Sequence, residues 1–512
     1  MKRRILLAMA MTLALSTMLA GCGKKEPVKE DDKTSVEEEA EDIKESAEAV
    51  DLTQDELDVF TDLFDTDEYN GFLKYSYSSP EKIDWESVFF DGAGVEKEDV
   101  SKSEKNAYLK EIDSDFLEGD LVAINAADAK KFVEGHTDLE FDGEKMFPNW
   151  TYLEKYDCYY SQHGDTEYEP YTCISGKKLG DEYVLDFQND YSAEYEYWLY
   201  PDTEITIRKV EDGYKILSNT TLWEKNNDPQ QTFDLDVSWS DTPYRVVTYQ
   251  GNPDEDEAAR MLVLKDGKQL DYLLTYIYPQ YDDTITIYTV AAIGAFDFTG
   301  DGLTDVVVVG DCDDGQRHMV LYEGLGKEEE YNVFSMLTDN SLWLEGFVSG
   351  ELNIPNIKAY LLGDNTTGTY SSWQDAYAQV AKIKNDSDVT FSLIYLDDDD
   401  VPELVEDKDF YGVSVYSFKD GVAKPLMKNW YYGSVDVDGY YYAPKKGLVE
   451  YTDGYEMQEY FGTFNKETMT IDKPEIDSKE YNKLHDMARE QTLEPISGSM
   501  EYTDFLTEIG VF

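Results

Sequence analysis

A short acidic stretch that runs directly into an apolar one places the strongest constraint on how this chain can fold. Residues 294–310 read GAFDFTGDGLTDVVVVG, with Asp297, Asp301 and Asp305 at four-residue intervals. Glycines interrupt any helix here and a run of valines follows, so the stretch predicts a loop that leads into a buried β-strand. Carboxylates this close to an apolar strand repel one another unless a cation compensates their charge.

The spacing within this loop is that of a calcium ligand set. Calcium binds roughly six to eight oxygen atoms, which loops supply from alternate positions with a glycine at the sharp turn. Asp297, Thr299 and Asp301 occupy positions one, three and five, Gly302 occupies position six and Asp305 position nine. We therefore predict a calcium site formed by the two outer acids, the threonine and the central acid. A solvated acidic turn is the alternative.

A second acidic stretch, LIYLDDDDVPELV, follows the same pattern less closely. Aligned on the acid before the next strand, Tyr395 takes position one, Asp397 position three, Asp399 position five and Glu403 position nine. Because a tyrosine replaces the first acid, we predict a weaker second calcium site at Asp397, Asp399 and Glu403. An empty loop is the alternative.

Composition excludes one class of partner and leaves catalysis open. The 512 residues carry a net charge of −65, which nucleic acid repels, so no nucleic-acid partner is expected. The four histidines have no metal-ligand spacing, and no nucleophile motif of a hydrolase is present. No catalytic residue is predicted, although a carboxylate pair of a glycosidase would be hidden among the 109 acidic residues.

The N-terminus has the three parts of a secretory signal. Basic residues precede an uncharged apolar run over residues 5–20, which ends in small residues and Cys22. The run is too short to span a membrane, so residues 1–21 are predicted to be a cleaved signal peptide. Residues 22–50 carry many acids and few large apolar side chains, and we predict a disordered stalk there.

The remaining cysteines are Cys158, Cys173 and Cys312. In an exported protein, Cys158 and Cys173 can pair across a predicted hairpin, and closing that loop would contribute about 3 kcal/mol in the chain-entropy model. Free buried thiols are the alternative. Cys312 is expected to be unpaired.

The order of periodic segments predicts an α+β chain of several domains, rich in antiparallel sheets. Residues 51–225 begin with helices and turn to strands, residues 226–365 read as nearly all strands, and residues 366–512 begin with a helix capped by Ser371 and Gln374. The two acidic loops lie about 100 residues apart with no third copy, which is too long for propeller blades of about 40 to 50 residues. A complete propeller is therefore not predicted.

Tyrosine is over-represented, with 41 copies that cluster in the β-rich segments. Aromatic faces edged by polar groups stack on sugar rings, so these clusters are candidate glycan-binding surfaces. Tyrosines that simply pack on sheet surfaces are the alternative, because tyrosine is a good strand former.

Three features resemble known proteins. The first acidic loop resembles the calcium loops of FG-GAP and VCBS-like repeats, without their Phe-Gly or Gly-Ala-Pro element, and LAGC at residues 19–22 resembles the lipobox of bacterial lipoproteins. The stretches NGFLKYSYSSPEKIDWESVFFDGAG and LIYLDDDDVPELV resemble segments of clostridial-type Gram-positive surface lipoproteins.

These resemblances imply a lipid anchor at Cys22 that tethers the protein to the extracellular face of the cell membrane, and calcium as its cofactor. Together with the acidic loops and the tyrosine clusters, this location favours a calcium-stabilised binding protein for a glycan or cell-wall polymer. A secreted hydrolase with an unrecognised carboxylate site is the alternative. A transporter's solute-binding lipoprotein is disfavoured, because its lobes need alternating strands and helices throughout.

Overall fold

The computed structural model describes most of the chain beyond residue 48. The described ranges are 49–117, 119–164, 170–189, 200–211, 213–254, 257–277, 284–326, 333–365, 367–408, 412–430, 439–453, 458–476 and 478–512. The predicted signal peptide, Cys22 and all but the last two residues of the predicted stalk lie outside them. Of the helices described, none has both the length and the apolar character that a membrane crossing requires.

The N-terminal part places helices against a five-stranded antiparallel sheet of order β1-β5-β6-β7-β8, beside a small sheet of order β2-β4-β3. Its elements are β1 (Val50–Asp51), α1 (Gln54–Phe64), α2 (Asp67–Asn70), α3 (Trp85–Val88), α4 (Lys102–Glu111), β2 (Asp120–Asn125), α5 (Ala126–His136), α6 (Gly143–Met146), β3 (Thr151–Leu153), β4 (Cys158–His163), β5 (Tyr171–Leu179), β6 (Glu182–Asn189), β7 (Thr203–Val210) and β8 (Gly213–Thr221).

Local sequence explains how this part begins. The Glu56 carboxylate accepts the backbone N–H of Thr53 at 2.9 Å, which completes the capping box at the start of α1. The helix then buries Phe64, whose ring centroid lies 4.9 Å from that of Phe187 on β6. Aromatic pairs of this kind contribute about 0.5–1.5 kcal/mol beyond the area they bury.

Four antiparallel sheets follow one another along the rest of the chain, each built from strands that are consecutive in sequence. The first contains β9 (Phe233–Leu235), β10 (Tyr244–Tyr249), β11 (Arg260–Lys265) and β12 (Lys268–Leu273). The second contains β13 (Tyr276–Ile277), β14 (Ile285–Ala295), β15 (Val306–Cys312), β16 (Arg317–Gly324) and β17 (Phe334–Met336), followed by α7 (Thr338–Glu345) and α8 (Ile354–Leu362).

Helix α9 (Trp373–Lys384) leads into the last two sheets. The third sheet contains β18 (Val389–Ile394), β19 (Glu403–Lys408), β20 (Gly412–Lys419) and β21 (Val422–Trp430). The fourth contains β22 (Gly439–Ala443), β23 (Leu448–Asp453), β24 (Gln458–Asn465), β25 (Thr470–Asp472) and, beyond α10 (Lys479–Glu490), β26 (Glu494–Pro495), and the chain closes with α11 (Tyr502–Glu508).

Apolar side chains join these sheets in pairs. One core combines Val246 and Val263 of the first sheet with Val306 and Val308 of the second. A corresponding core joins the third and fourth sheets, and the other face of the second sheet is covered by α7 and α8. The acidic loops lie at the ends of strands in the second and third sheets, where these layers meet.

The fold agrees with the predicted β-rich α+β class and differs from the sequence analysis in detail. Asp266 and Gly267, an Asp-Gly pair of the kind that predicts a hairpin, both have positive φ and join β11 to β12. The segment 226–365 is less purely β than expected, because it ends in α7 and α8. The cap of α9 is Ser372, one residue after the predicted one, and its hydroxyl accepts the N–H of Asp375.

Candidate functional site

The first acidic loop, residues 297–305, connects β14 to β15 and folds around its own carboxylates. The Asp297 carboxylate accepts the backbone N–H groups of Gly300 at 2.6 Å and Gly302 at 2.9 Å. Both glycines have positive φ, 82° and 86°, a conformation that side chains with a β-carbon rarely adopt. The two glycines are thus required by the turn that wraps the chain around the first acid.

Asp305 at the end of this loop is fully buried, and its carboxylate accepts hydrogen bonds from three backbone N–H groups. One carboxylate oxygen accepts the N–H groups of Phe298 and Thr299, each at 2.9 Å. The other accepts the N–H of Gly324 on β16 at 3.0 Å. This acid therefore ties the start of the loop to the neighbouring strand.

Asp301, the central acid, is held by a lysine from the next sheet. Its Oδ1 accepts the N–H of Leu303 at 2.9 Å, while its Oδ2 lies 2.5 Å from Nζ of Lys428 on β21. The same ammonium donates to the carbonyl of Gly324 at 2.7 Å and lies 3.4 Å from Oε2 of Glu323. Lys428 is thus the one ammonium, among the described residues, that forms an ion pair with this loop.

The charged chain extends further into the protein. Glu323 also receives the ammonium of Lys384 at 2.6 Å, and that ammonium lies 3.6 Å from a carboxylate oxygen of Glu406. We refer to Asp301, Lys428, Glu323, Lys384 and Glu406 as the buried ion network, since each of them is almost fully removed from solvent. It spans the boundary between the second and third sheets.

The three carboxyl groups of the first acidic loop have one ion-pair partner among the described residues, the ammonium of Lys428. Burial and the neighbouring Asp301 raise the pKa of Asp297 to about 6. Burial, with the repulsion of the other two loop acids, raises the pKa of Asp305 well above its ordinary value. Neither of these acids forms an ion pair with a described lysine, arginine or histidine. Such a site favours an added cation.

The side chains supply the oxygen ligands that calcium prefers, and in that respect the predicted residues fit the ion. Thr299, Asp301 and Asp305 are buried and Asp297 is partly buried, and the hydroxyl of Thr299 lies 3.5 Å from Oδ1 of Asp297. In the described residues, no three side chains of the His, Cys, Asp and Glu types are arranged to hold a metal ion. The carboxylates face backbone amides and Lys428 instead.

The second acidic loop, residues 395–403, connects β18 to β19 and repeats several of these contacts. Oδ1 of Asp399 accepts the N–H of Val401 at 2.8 Å, and Glu403 accepts the N–H of Leu396 at 2.8 Å. Lys466 bridges Asp397, at 2.8 Å, and Asp399. Although burial acts in the opposite direction, this ammonium lowers the pKa of Asp399.

These residues fit a metal ion less well than those of the first loop. Lys466 already forms ion pairs with both Asp397 and Asp399, and Tyr395 at position one supplies no carboxylate. Burial raises the pKa of Glu403 to about 7, as it raises the pKa values of Asp297 and Asp305 in the first loop, so this effect does not separate the two loops. The weaker second site predicted from the sequence therefore gains no support from this geometry.

A separate groove of about 660 Å³ lies between the end of α9 and the starts of β18 and α11. Trp343 of α7 forms part of its wall and is 44% exposed. The rest of the lining is mainly polar and includes Asn385, Asp386, Thr390 and Glu501. An exposed indole beside polar side chains is the surface that a sugar ring requires, with an apolar face to stack on and partners for the hydroxyl groups.

The tyrosine-rich C-terminal stretch forms a row of rings instead of an open platform. Tyr440, Tyr451 and Tyr460 are cross-strand neighbours on the fourth sheet, with ring centroids 5.8 Å and 4.6 Å apart. The ammonium of Lys473 lies over Trp430 at 3.9 Å and over Tyr451 at 4.9 Å. These half-buried rings pack on one another, which favours the structural interpretation. Residues 190–199 and 431–438 of the tyrosine clusters lie outside the described part of the chain.

The predicted disulfide is not formed. Cys158 and Cys173 are both free and buried. They lie in different sheets, because β4 pairs with β2 and β3 whereas β5 pairs with β1 and β6. The predicted hairpin joining them was therefore wrong, and the alternative of free thiols describes this structure. Cys312 is also free, as expected.

Sequence reasoning missed the two lysines that close the loops. Lys428 lies 127 residues from Asp301, and Lys466 lies 67 residues from Asp399. No local motif marks either lysine, so only the packing of successive sheets brings these charges together. Trp343 was missed for the same reason, since its groove is built from three separate segments.

No protein-family model, curated protein or solved structure matches the chain.

Proposed function

We propose that this is an exported, lipid-anchored binding protein that is stabilised by calcium and recognises a neutral glycan. The groove beside Trp343 is the observation that carries the proposal. Its volume of about 660 Å³ falls in the range of ligand sites, roughly 300–1,000 Å³. Trp343 is 44% exposed at this groove. A ligand can therefore stack on its apolar ring without a rearrangement that first brings the ring to the surface.

The charge of the groove restricts its ligand. Asp386 and Glu501 line it, and no lysine or arginine is among its described lining residues. An anionic polymer would be repelled there, and by the strongly acidic chain as a whole. Uncharged sugars, which need hydrogen-bond partners and a stacking face but no counter-charge, are the favoured ligand class.

Calcium enters the proposal through the first acidic loop. Asp297, Thr299, Asp301 and Asp305 would hold the ion, and its positive charge would offset the repulsion among the three carboxylates. The supporting observation is that two of these acids are buried or nearly buried and pair with backbone amides but with no cation in the described residues. The ion would thereby stabilise the second sheet.

The anchor and the location rest on the N-terminal sequence. Cys22 would carry the lipid and hold the protein at the extracellular face of the membrane, with residues 23–50 as the tether. Calcium and cell-wall polymers are both accessible there. This arrangement suits a binding protein that acts close to the cell surface.

Binding of neutral oligosaccharides and of purified peptidoglycan to the mature chain, residues 22–512, would test the proposal. We expect saturable binding that Trp343→Ala weakens at least tenfold, since truncating a tryptophan anchor typically costs about 2 kcal/mol or more. Phe116→Ala is the matched control, because this aromatic side chain is 64% exposed and does not line the groove. Equal binding by both variants would contradict the assignment of the groove.

The same experiment addresses the hydrolase alternative, which one observation favours. Asp386 and Glu501 line the groove together, and glycoside hydrolysis uses a pair of carboxylates. Asp386 is engaged by Lys408 at 3.5 Å, which argues for a structural role. Release of shortened sugars, lost in Glu501→Gln but not in Phe116→Ala, would identify an enzyme instead of a binding protein.

A further inference from the structure

Both acidic loops present the same acid, at position five, to a lysine that comes from a later sheet or strand connection. We propose that Lys428 and Lys466 are built-in counter-cations of the two loops, so that calcium binds the first loop only in competition with Lys428. The part that concerns calcium rests on the proposed function. The role of the lysines in closing the loops does not.

The contacts around position five are equivalent in the two loops. In each, one carboxylate oxygen accepts the backbone N–H of position seven, Leu303 for Asp301 and Val401 for Asp399, at 2.9 Å and 2.8 Å. The second oxygen receives the lysine ammonium in each case. One oxygen of each acid thus stabilises the turn of its own loop, and the other binds a lysine from a distant part of the chain.

The acid at position nine also has one role in both loops. Asp305 and Glu403 each accept the N–H of position two, that of Phe298 at 2.9 Å and that of Leu396 at 2.8 Å. Because these hydrogen bonds use the carboxylate oxygens, the loops close without an added ion. The two acids therefore have a structural role that explains their presence independently of metal binding.

The two lysines differ in how firmly they are held. The side chain of Lys428 is only 6% exposed, and its ammonium is shared by Asp301, Glu323 and the carbonyl of Gly324. The side chain of Lys466 is 58% exposed and bridges Asp397 and Asp399. A buried ammonium cannot exchange for water at low cost, so Lys428 is the stronger competitor for its loop.

Competition follows from the oxygen that Lys428 occupies. Oδ2 of Asp301 lies 2.5 Å from the ammonium, and a calcium ligand set at this loop would include the same carboxylate. Removing the ammonium leaves that oxygen free and adds one uncompensated negative charge to a loop that already has an excess. Both effects strengthen the attraction for a divalent cation.

The test combines calcium titration by calorimetry with thermal melting of the mature chain in chelator. For Lys428→Met we expect a lower melting temperature in chelator and a calcium dissociation constant at least tenfold smaller than that of the wild type. Lys424→Met is the matched control, because this lysine lies on the same strand with a side chain 38% exposed and pairs with Asp420. Lys424→Met should change neither the melting temperature in chelator nor the calcium dissociation constant.

Further variants separate the two parts of the proposal. Lys428→Met/Asp301→Asn removes the buried pair together and should recover part of the melting temperature that Lys428→Met loses. Lys466→Met changes an exposed side chain, so it should fold, and we expect it to create calcium binding at the second loop that Asp399→Asn abolishes.

The outcomes are distinct. An unchanged melting temperature in chelator for Lys428→Met would overturn the role of this lysine as a counter-cation. Unchanged or weaker calcium binding by the same variant would overturn the competition. If neither the wild type nor any lysine variant binds calcium, the calcium part of the proposed function and the competition fail together, while the melting data for the single and double variants still decide the role of Lys428.

Discussion

Replacing Lys384 by methionine should expose how much the buried ion network contributes to stability. The Lys384 ammonium lies 2.6 Å from Glu323 and 3.6 Å from Glu406, and all three side chains are at most 6% exposed. Methionine keeps most of the length and apolar volume of the side chain but removes its charge. Glu323 would then keep Lys428, whose ammonium lies 3.4 Å from its Oε2, whereas Glu406 would lose the ammonium that lies 3.6 Å from it.

The pKa of Glu323 indicates how large the loss of stability should be. Burial would raise this pKa, yet Lys384 and Lys428 lower it from 4.5 to about 2. At about 1.4 kcal/mol per pKa unit, this net shift corresponds to about 3 kcal/mol by which the two ammoniums and the amide of Asn429 stabilise the carboxylate beyond the cost of its burial. Removing one partner of a buried pair typically costs about 3–5 kcal/mol. A cavity of about 210 Å³ borders Glu323, Lys384 and Glu406, and water there would moderate the loss, so we expect about 3 kcal/mol at pH 7.

Urea unfolding of the mature chain provides the assay, with the change in midpoint converted through the slope of the transition. Lys408→Met is the control, because this lysine is 40% exposed and pairs with Asp386 at 3.5 Å, a class of ion pair that contributes about 0–1 kcal/mol. Lys384→Met/Glu323→Gln should recover part of the loss, since it removes the uncompensated charge. A loss below 1 kcal/mol, or one no larger than that of the control, would refute the reasoning.

Three further predictions concern other parts of the chain. Hydrogen bonding to Glu345 and Asp314 raises the pKa of His318 from 6.5 to about 9, so the stability that this group contributes should be complete below pH 6.5 and lost as the pH rises through 9. His318→Gln should flatten the pH dependence of the melting temperature in that window, and an unchanged profile would contradict it. Gly324→Ala should lower the melting temperature strongly, because its β-carbon would lie 2.3 Å from a backbone oxygen; wild-type melting would show that the backbone yields there. Cys22→Ser should abolish lipid labelling and release the protein from the membrane fraction, whereas continued labelling would place the anchor elsewhere.

Local sequence was sufficient to predict the parts of the fold that depend on neighbouring residues. The loop from Asp297 to Asp305 leads into β15 as expected, because two glycines and a β-branched run leave few other conformations. The spacing of Thr53 and Glu56 likewise predicts the capping box that begins α1. The cap of α9 was displaced by one residue because Ser371 and Ser372 are both good caps, and packing of the helix decides between them.

Contacts between residues far apart in the sequence could not be predicted from local sequence. Residues around Cys158 and Cys173 do form strands, but β4 pairs with β2 and β3, which both precede it in sequence and flank it in the sheet. Strand pairing depends on the whole sheet, and a polar segment between two strands does not require that they form a hairpin. The same limit hid Lys428, because 127 residues separate it from the carboxylate that it neutralises.

The comparison of the two loops changes what the acidic pattern means. In the first loop, Asp297 at position one accepts hydrogen bonds from two backbone amides. The second loop has Tyr395 at this position, yet its acids at positions five and nine accept the backbone N–H groups that correspond to those of the first loop. Position one is therefore dispensable for closing the loop, while positions five and nine are tied to the backbone in both copies. It follows that a sequence with these two acids can specify the loop conformation without specifying a metal. Acids that have no ion-pair partner after such hydrogen bonds and lysines are accounted for are the better indicator of a cation site. Among the described residues, Asp297 and Asp305 of the first loop have none, whereas Asp397 and Asp399 of the second loop share Lys466.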